Sequence, residues 1–204
     1  MNIAVFASGR GSNFQAILNA INEGRLPARV TLLLSNNSNA GALELARTQN
    51  IPAIHFSQKQ CSSEESYVEQ LLELLVRHNV DLIALAGYMK RIPVQVIGQF
   101  RNRILNIHPA LLPAFGGSGM FGIHVHEAVL ASGTKITGAT VHIVDEEYDR
   151  GPIVMQKALE ILNDDTPQSL AARVLPLEHE IYPKALAAFA RKQVHIEGKR
   201  VWIQ

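Results

Sequence analysis

Asn106 and His108 stand two residues apart in the stretch Ile104-Leu105-Asn106-Ile107-His108-Pro109-Ala110-Leu111-Leu112-Pro113. Its apolar start predicts the end of a buried central strand, and Pro109 and Pro113, which lack a backbone N–H, mark where ladder pairing stops. In an extended chain residues two apart point the same way, so an amide and an imidazole face a common space beyond the strand's carboxyl end. Open α/β sheets bind ligands there. The amide donates without ionising and the imidazole exchanges a proton near neutral pH, which suits stabilising a developing oxyanion and handling a proton. Taken alone, the same segment also reads as a capped, hydrogen-bonded strand end.

A third group of matching chemistry lies in Asp145-Glu146-Glu147-Tyr148-Asp149-Arg150-Gly151-Pro152, between strands predicted over 136–144 and 153–159. Four carboxylates in one short loop ordinarily make a solvated turn. Asp149, however, falls at a strand end, and a carboxylate near His108 would favour the imidazolium and fix its orientation. Two other groupings are weaker. Ser8-Gly9-Arg10-Gly11-Ser12-Asn13 joins a strand over 2–7 to a helix beginning near Phe14, which places free N–H groups at a helix amino terminus, where an anion such as phosphate is favoured. Phe14 occupies the third glycine position of a dinucleotide fingerprint, and the second strand ends in Ser35-Asn36-Asn37 without a ribose-binding acid, so neither that fold motif nor a Walker loop fits. An ordinary tight turn capped by Ser12 remains the alternative. His124 and His126 invite a metal reading, but no thiolate partner or fixed third ligand accompanies them and no metal is expected.

The elements that must carry these groups follow a βαβ rhythm. Strands are predicted over 30–34, 53–56 and 81–86, and helices over 40–48 and 64–78, the latter with Val68, Leu71, Leu72, Leu75 and Val76 on one stripe. Tyr88 and Met89, in a loop over 87–93, either line a flat apolar pocket or simply pack, and Lys90-Arg91 reads as solvated. Residues 114–123 hold four glycines and read as a mobile loop, with His124 and His126 ahead of a helix over 127–131. A long helical region spans 167–191, with Pro176 expected to interrupt it, and Glu197-Gly198-Lys199 is a hairpin turn.

The composition is globular, with 204 residues, 47% hydrophobic and 18% charged, and 1–204 reads as a single domain. A formal net charge of +1 argues against a protein built to neutralise nucleic-acid phosphates. The apolar amino terminus lacks a basic flank and reads as a first strand rather than a signal peptide, and no apolar run spans a bilayer. Cys61 is the only cysteine, so no internal disulfide or thiolate metal cluster is available, and the expected location is cytoplasmic.

In their order, Gly9-Arg10-Gly11-Ser12-Asn13, Asn106-Ile107-His108-Pro109, Leu111-Leu112-Pro113, Asp149-Arg150-Gly151-Pro152 and Glu178-His179-Glu180-Ile181-Tyr182-Pro183 resemble the 10-formyltetrahydrofolate-dependent formyltransferases. Within them the chain is most similar to those that formylate the amine of glycinamide ribonucleotide in purine biosynthesis. The resemblance, from Asn2 to about Pro183, implies an α/β, Rossmann-like formyltransferase fold with a mostly parallel central sheet and helices on both faces. It implies 10-formyltetrahydrofolate as co-substrate, no metal, no nucleic-acid or membrane partner, and it allows a homodimer. By position, Asn106, His108 and Asp149 match the catalytic residues. Gly11, Ser12 and Asn13 would hold the ribonucleotide phosphate, and Leu175 and Glu178 would meet the rest of that substrate. Met89, Lys90, Arg91, Ile92, Asn106, Asp145, Glu146, Glu147, Tyr148 and Asp149 match folate contacts, while Glu64 stands where some members carry a folate-binding Arg. Methionyl-tRNA formyltransferase would share the Asn, His and Asp set but resembles a longer chain with an added carboxyl-terminal domain, and formyltetrahydrofolate deformylase would use water in place of the amine and resembles chains with an added amino-terminal domain. A phosphosugar-binding module without catalysis is the remaining reading.

Overall fold

The run Ile3-Ala4-Val5-Phe6 is wholly buried and makes up most of strand β1 (Asn2–Phe6) in a computed structural model that describes residues 1–204. A strand apolar on both faces belongs at the centre of a parallel sheet. β1 pairs in parallel with β2 (Arg29–Ser35) on one side and β4 (Leu82–Leu85) on the other, and β2 pairs in parallel with β3 (Ala53–His55). Further along the chain come β5 (Ile104–His108), β6 (Ile136–Ile143) and β7 (Ile153–Glu160), the last two antiparallel to each other. The seven-stranded order is β3-β2-β1-β4-β5-β6-β7, a mostly parallel sheet of the α/β class.

The chain forms two compact units, 1–105 and 106–204. In the first, α1 (Ser12–Asn22) packs against α2 (Gly41–Thr48), which lies on β2 and β3, and α3 (Glu64–Arg77) packs against α4 (Val94–Gln99). The buried stripe of α3 is Tyr67, Val68, Leu71 and Leu75. Val76, expected on that stripe, is 69% exposed, because a further 100° of helical rotation carries it past the edge. The short helix α4 gave no periodic signal: one of its six residues is Gly98 and two are β-branched valines, all weak helix formers.

In the second unit, α5 (Ile123–Ala131) packs against α6 (Pro167–Ala190), α6 lies on β6 and β7, and a hairpin of β8 (Val194–Glu197) and β9 (Arg200–Ile203) touches β7. Thr166 caps α6 reciprocally with Ser169, and Pro167 occupies the first turn, where its missing N–H costs nothing. Contrary to expectation, Pro176 does not interrupt α6, which runs through both Pro176 and Pro183. An internal proline costs about 3 kcal/mol. Burial of Val174, Ile181, Tyr182, Ala185 and Leu186 on the same helix offsets it. Helix α5 also starts earlier than the sequence implied, so His124 and His126 lie within it rather than ahead of it. No helix is long and apolar enough to cross a membrane.

Candidate active site

Asn106 and His108 share one side of β5 as the period of two requires; Asn106 is half-buried and His108 is 3% exposed. The loop that follows is fastened by Thr140 of β6. Its hydroxyl donates to the Ala110 carbonyl at 2.6 Å and accepts from the Leu112 N–H at 3.0 Å and from Gln156 Nε2 at 2.9 Å, the full capacity of a hydroxyl. Gln156 also donates to the Leu112 carbonyl at 2.9 Å.

Two residues beyond Thr140, and therefore on the same face of β6, His142 is 2% exposed. Its Nδ1 lies 3.0 Å from the Ile143 carbonyl, which can only accept, so Nδ1 carries the proton there. The other nitrogen, Nε2, lies 3.1 Å from Asn106 Nδ2 and 3.4 Å from Asp149 Oδ1. His108 is oriented by the same logic. Its Nε2 donates to the Phe115 carbonyl at 2.8 Å, which leaves Nδ1 directed toward Asp149 Oδ2 at 3.7 Å. Oδ2 in turn accepts the Gly117 N–H at 3.0 Å. One carboxylate thus stands between two imidazoles, and the amide of Asn106 hangs on the second.

Two residues of this cluster sit in an uncommon backbone conformation. Asp149 and Phe115 have φ of 54° and 55°, a left-handed conformation that is uncommon outside glycine. Such positions persist where the surroundings over-determine them and concentrate at functional sites. Gly116 is required for a different reason: a Cβ there would come within 2.5 Å of Leu112 Cδ2 and 2.9 Å of Asp149 Cβ.

The electrostatics correct one expectation. Asp149 was expected to keep His108 cationic, but burial lowers the proton affinity of His108 more than the Asp149 charge and the Phe115 carbonyl raise it, so the imidazole rests neutral near pH 7. Asp149 behaves oppositely. Burial alone would raise it, yet His142 beside it, the Gly117 N–H that it accepts and the nearby His108 imidazole hold it below the usual carboxylate range. His126 of α5 is buried and shifted downward by burial and by the neighbouring His108. His124, by contrast, is exposed and paired with Glu127 at 2.9 Å.

Of the other residues singled out from the sequence, Asp145, Glu146, Glu147 and Tyr148 stay half-buried or exposed, with Asp145 accepting the Glu147 N–H at 3.0 Å in a local turn. Leu175 and Glu178 lie three residues apart on α6, the first half-buried and the second buried. In the first unit, Gly11 caps α1 with φ 90° and no side-chain cap, and a Cβ there would meet Ala42 at 3.0 Å. Ser12 is therefore the first helical residue rather than the cap; it is exposed, and Asn13 is buried. Met89, Lys90 and Arg91 are exposed, whereas the side chain of Ile92 is buried. Tyr88 packs edge-on against Phe6, with ring centroids 5.3 Å apart.

A family model described as formyl transferase matches residues 1–186. The chain belongs to the formyl transferase family. It is similar to the chloroplastic phosphoribosylglycinamide formyltransferase of Arabidopsis thaliana, with 45% identity over 193 residues, covering 94% of this chain and 66% of that relative, just under two thirds of its length. It is 40% identical to the phosphoribosylglycinamide formyltransferase of Bacillus subtilis over 183 residues, covering 90% of this chain and 91% of the relative. The crystal structure of glycinamide ribonucleotide transformylase 1 from Symbiobacterium toebii has a TM-score of 0.93 at 42% identity, covering 100% of this chain and 93% of that one. A formyltetrahydrofolate deformylase from Pseudomonas syringae shares the fold, with a TM-score of 0.89, at 22% identity.

Sequence reasoning did not single out His142 or Thr140 as members of the cluster in this formyl transferase. The signal was present in their period-two spacing on one strand, with only Val144 between the end of β6 and the loop Asp145 to Asp149. Phe115 and Gly117 contribute only backbone atoms, which leave no side-chain signature.

Proposed function

We propose that this formyl transferase moves the formyl group of 10-formyltetrahydrofolate to the amine of glycinamide ribonucleotide, giving formylglycinamide ribonucleotide and tetrahydrofolate in de novo purine biosynthesis. The observation that carries the proposal is the half-buried Asp149 carboxylate set between His108 and His142, with Asn106 bonded to His142. The identities of 40% and 45% to phosphoribosylglycinamide formyltransferases support the choice of acceptor. We read 1–204 as a single, cytoplasmic formyltransferase domain, a reading supported by a family match that runs across both units.

In the proposed mechanism a primary amide has two N–H groups, and Asn106 gives one to His142 Nε2. The second donates to the formyl oxygen as negative charge develops on it when the amine attacks. One preorganised donor of this kind contributes about 3 to 4 kcal/mol. His108, neutral at rest with Nε2–H held by Phe115, takes the amine's proton at Nδ1 and passes it to the departing folate nitrogen. Asp149 stabilises the imidazolium while it exists. The co-substrate supplies an already activated formyl group, so the reading assigns no metal.

For binding, the uncapped start of α1 suits the ribonucleotide phosphate at Gly11, Ser12 and Asn13, with Leu175 and Glu178 assigned to the remainder of that substrate. The exposed Met89 and Tyr148 offer apolar surface to a folate ring, and we assign Met89, Lys90, Arg91, Ile92 and residues 145–149 to that ligand. The buried Ile92 side chain makes any contact there a backbone one.

The test mixes purified protein with 10-formyltetrahydrofolate and follows release of tetrahydrofolate by absorbance, with and without glycinamide ribonucleotide. Release that requires the ribonucleotide supports the proposal. Equal release without it makes water the acceptor and the protein a deformylase, and no release in either case leaves a binding module. His108→Ala is expected to lose most turnover while retaining substrate binding.

A further inference from the structure

Ser8, two residues beyond the end of β1, uses every hydrogen-bonding group it has to tie three strand ends together. Its N–H donates to the Gly87 carbonyl at 3.0 Å, beyond β4, and its carbonyl accepts from Asn37 Nδ2 at 3.2 Å, beyond β2. Its hydroxyl donates to Asn36 Oδ1 at 2.5 Å and accepts the Met89 N–H at 2.8 Å. Asn37 is itself held, with its N–H donated to Ser35 Oγ at 3.1 Å and its carbonyl accepting from that same hydroxyl at 3.0 Å. Met89 opens the run Met89 to Ile92, in which three consecutive side chains are exposed, and the Ser8 hydroxyl fixes the first backbone N–H of that run. We infer that Ser8 is a positioning residue for the folate-facing segment Met89 to Ile92, acting through the Met89 N–H and oriented by Asn36; this rests on the function proposed above.

A serine at a strand end is also compatible with a role in folding alone, and the geometry separates the two. Removing the hydroxyl in Ser8→Ala leaves the backbone bonds to Gly87 and Asn37, the wholly apolar β1 and the Phe6–Tyr88 ring contact intact. What it frees is Met89 and the Asn36 amide. Steady-state formyl transfer by Ser8→Ala, Ser8→Thr and the unsubstituted protein tests the inference. Ser8→Ala is expected to raise KM for 10-formyltetrahydrofolate about fivefold, the worth of one neutral hydrogen bond. Its kcat and its KM for glycinamide ribonucleotide should stay within twofold, and Ser8→Thr, which keeps the hydroxyl, should restore the folate KM. A merely structural role would lower apparent kcat, through fewer folded molecules, without moving KM. That pattern, an unchanged folate KM in Ser8→Ala, or failure of Ser8→Thr to restore it would overturn the inference and leave the proposed function standing. Absence of transfer by the unsubstituted protein would overturn both.

Discussion

Asp149→Asn isolates the charge at the centre of the cluster. Asparagine is close in shape, its carbonyl oxygen can still accept the Gly117 N–H, and it tolerates the left-handed backbone that Asp149 adopts. What disappears is a negative charge 3.7 Å from His108 Nδ1. At an effective dielectric of about 20, two unit charges at that distance attract by roughly 4.5 kcal/mol. If the imidazolium forms during proton transfer, the loss falls on the transition state and not on the neutral resting state, so kcat should drop roughly 10³-fold with little change in either KM. The direction of the pH effect follows. Asp149 raises the proton affinity of His108 against burial, so removing it lowers that affinity further, and the acidic limb of the kcat/KM profile should move to lower pH. The assay is steady-state formyl transfer across a pH series, with circular dichroism to verify folding. A folded variant with kcat within tenfold of the parent, or one whose acidic limb moves upward, would refute the electrostatic reasoning.

Thr140→Val keeps the shape of the side chain but strips three hydrogen bonds from the loop after β5, and should cost about 1 to 3 kcal/mol in urea unfolding; a midpoint equal to the parent's would show that the loop is fastened elsewhere. Gly116→Ala pushes a methyl group against Leu112 and Asp149, so both stability, by about 1 to 3 kcal/mol, and turnover should fall together in thermal unfolding and kinetic assays. His108, His126 and His179 all bind protons less readily in the folded state, chiefly through burial. The unfolded chain therefore takes up more protons below the ordinary imidazole value, and the stability these groups contribute is full above about pH 6.5 and lost as pH falls. Urea midpoints at pH 7.5 and 5.5 measure this, and an equal or higher midpoint at pH 5.5 would contradict it.

The strands of the first unit were legible because central strands carry uninterrupted apolar runs, as in Ile3 to Phe6 and Leu82 to Leu85, bounded by glycine or proline. Element ends set by packing were not. Pro176 reads locally as a stop, and only the buried face of α6 overrules it; the start of α5 depends on Gly122 taking φ of 57°, which glycine permits but does not announce. At the site, Asn106 and His108 were visible as a pair on one strand. Their relation to Asp149 depends on a turn that folds back from β6, and the part played by His142 depends on which ring nitrogen the Ile143 carbonyl occupies.

The protonation of His108 shows why residue types alone point the wrong way here. A histidine beside an aspartate suggests a standing imidazolium, and that would hold if the pair were wet. With His108 3% exposed, desolvation outweighs an attraction acting across 3.7 Å, and Asp149 also commits its Oδ2 to the Gly117 N–H. The consequence is chemically useful. A neutral imidazole can accept the proton of an attacking amine, which a resting imidazolium cannot, and the fixed carboxylate limits the cost of the charge once it forms. Moving Asp149 closer would favour the cation at rest and block proton acceptance, while removing it would leave the imidazolium without a counter-charge. The observed separation lies between those two failures, so His108 should respond to charge removal in kcat far more than in substrate affinity.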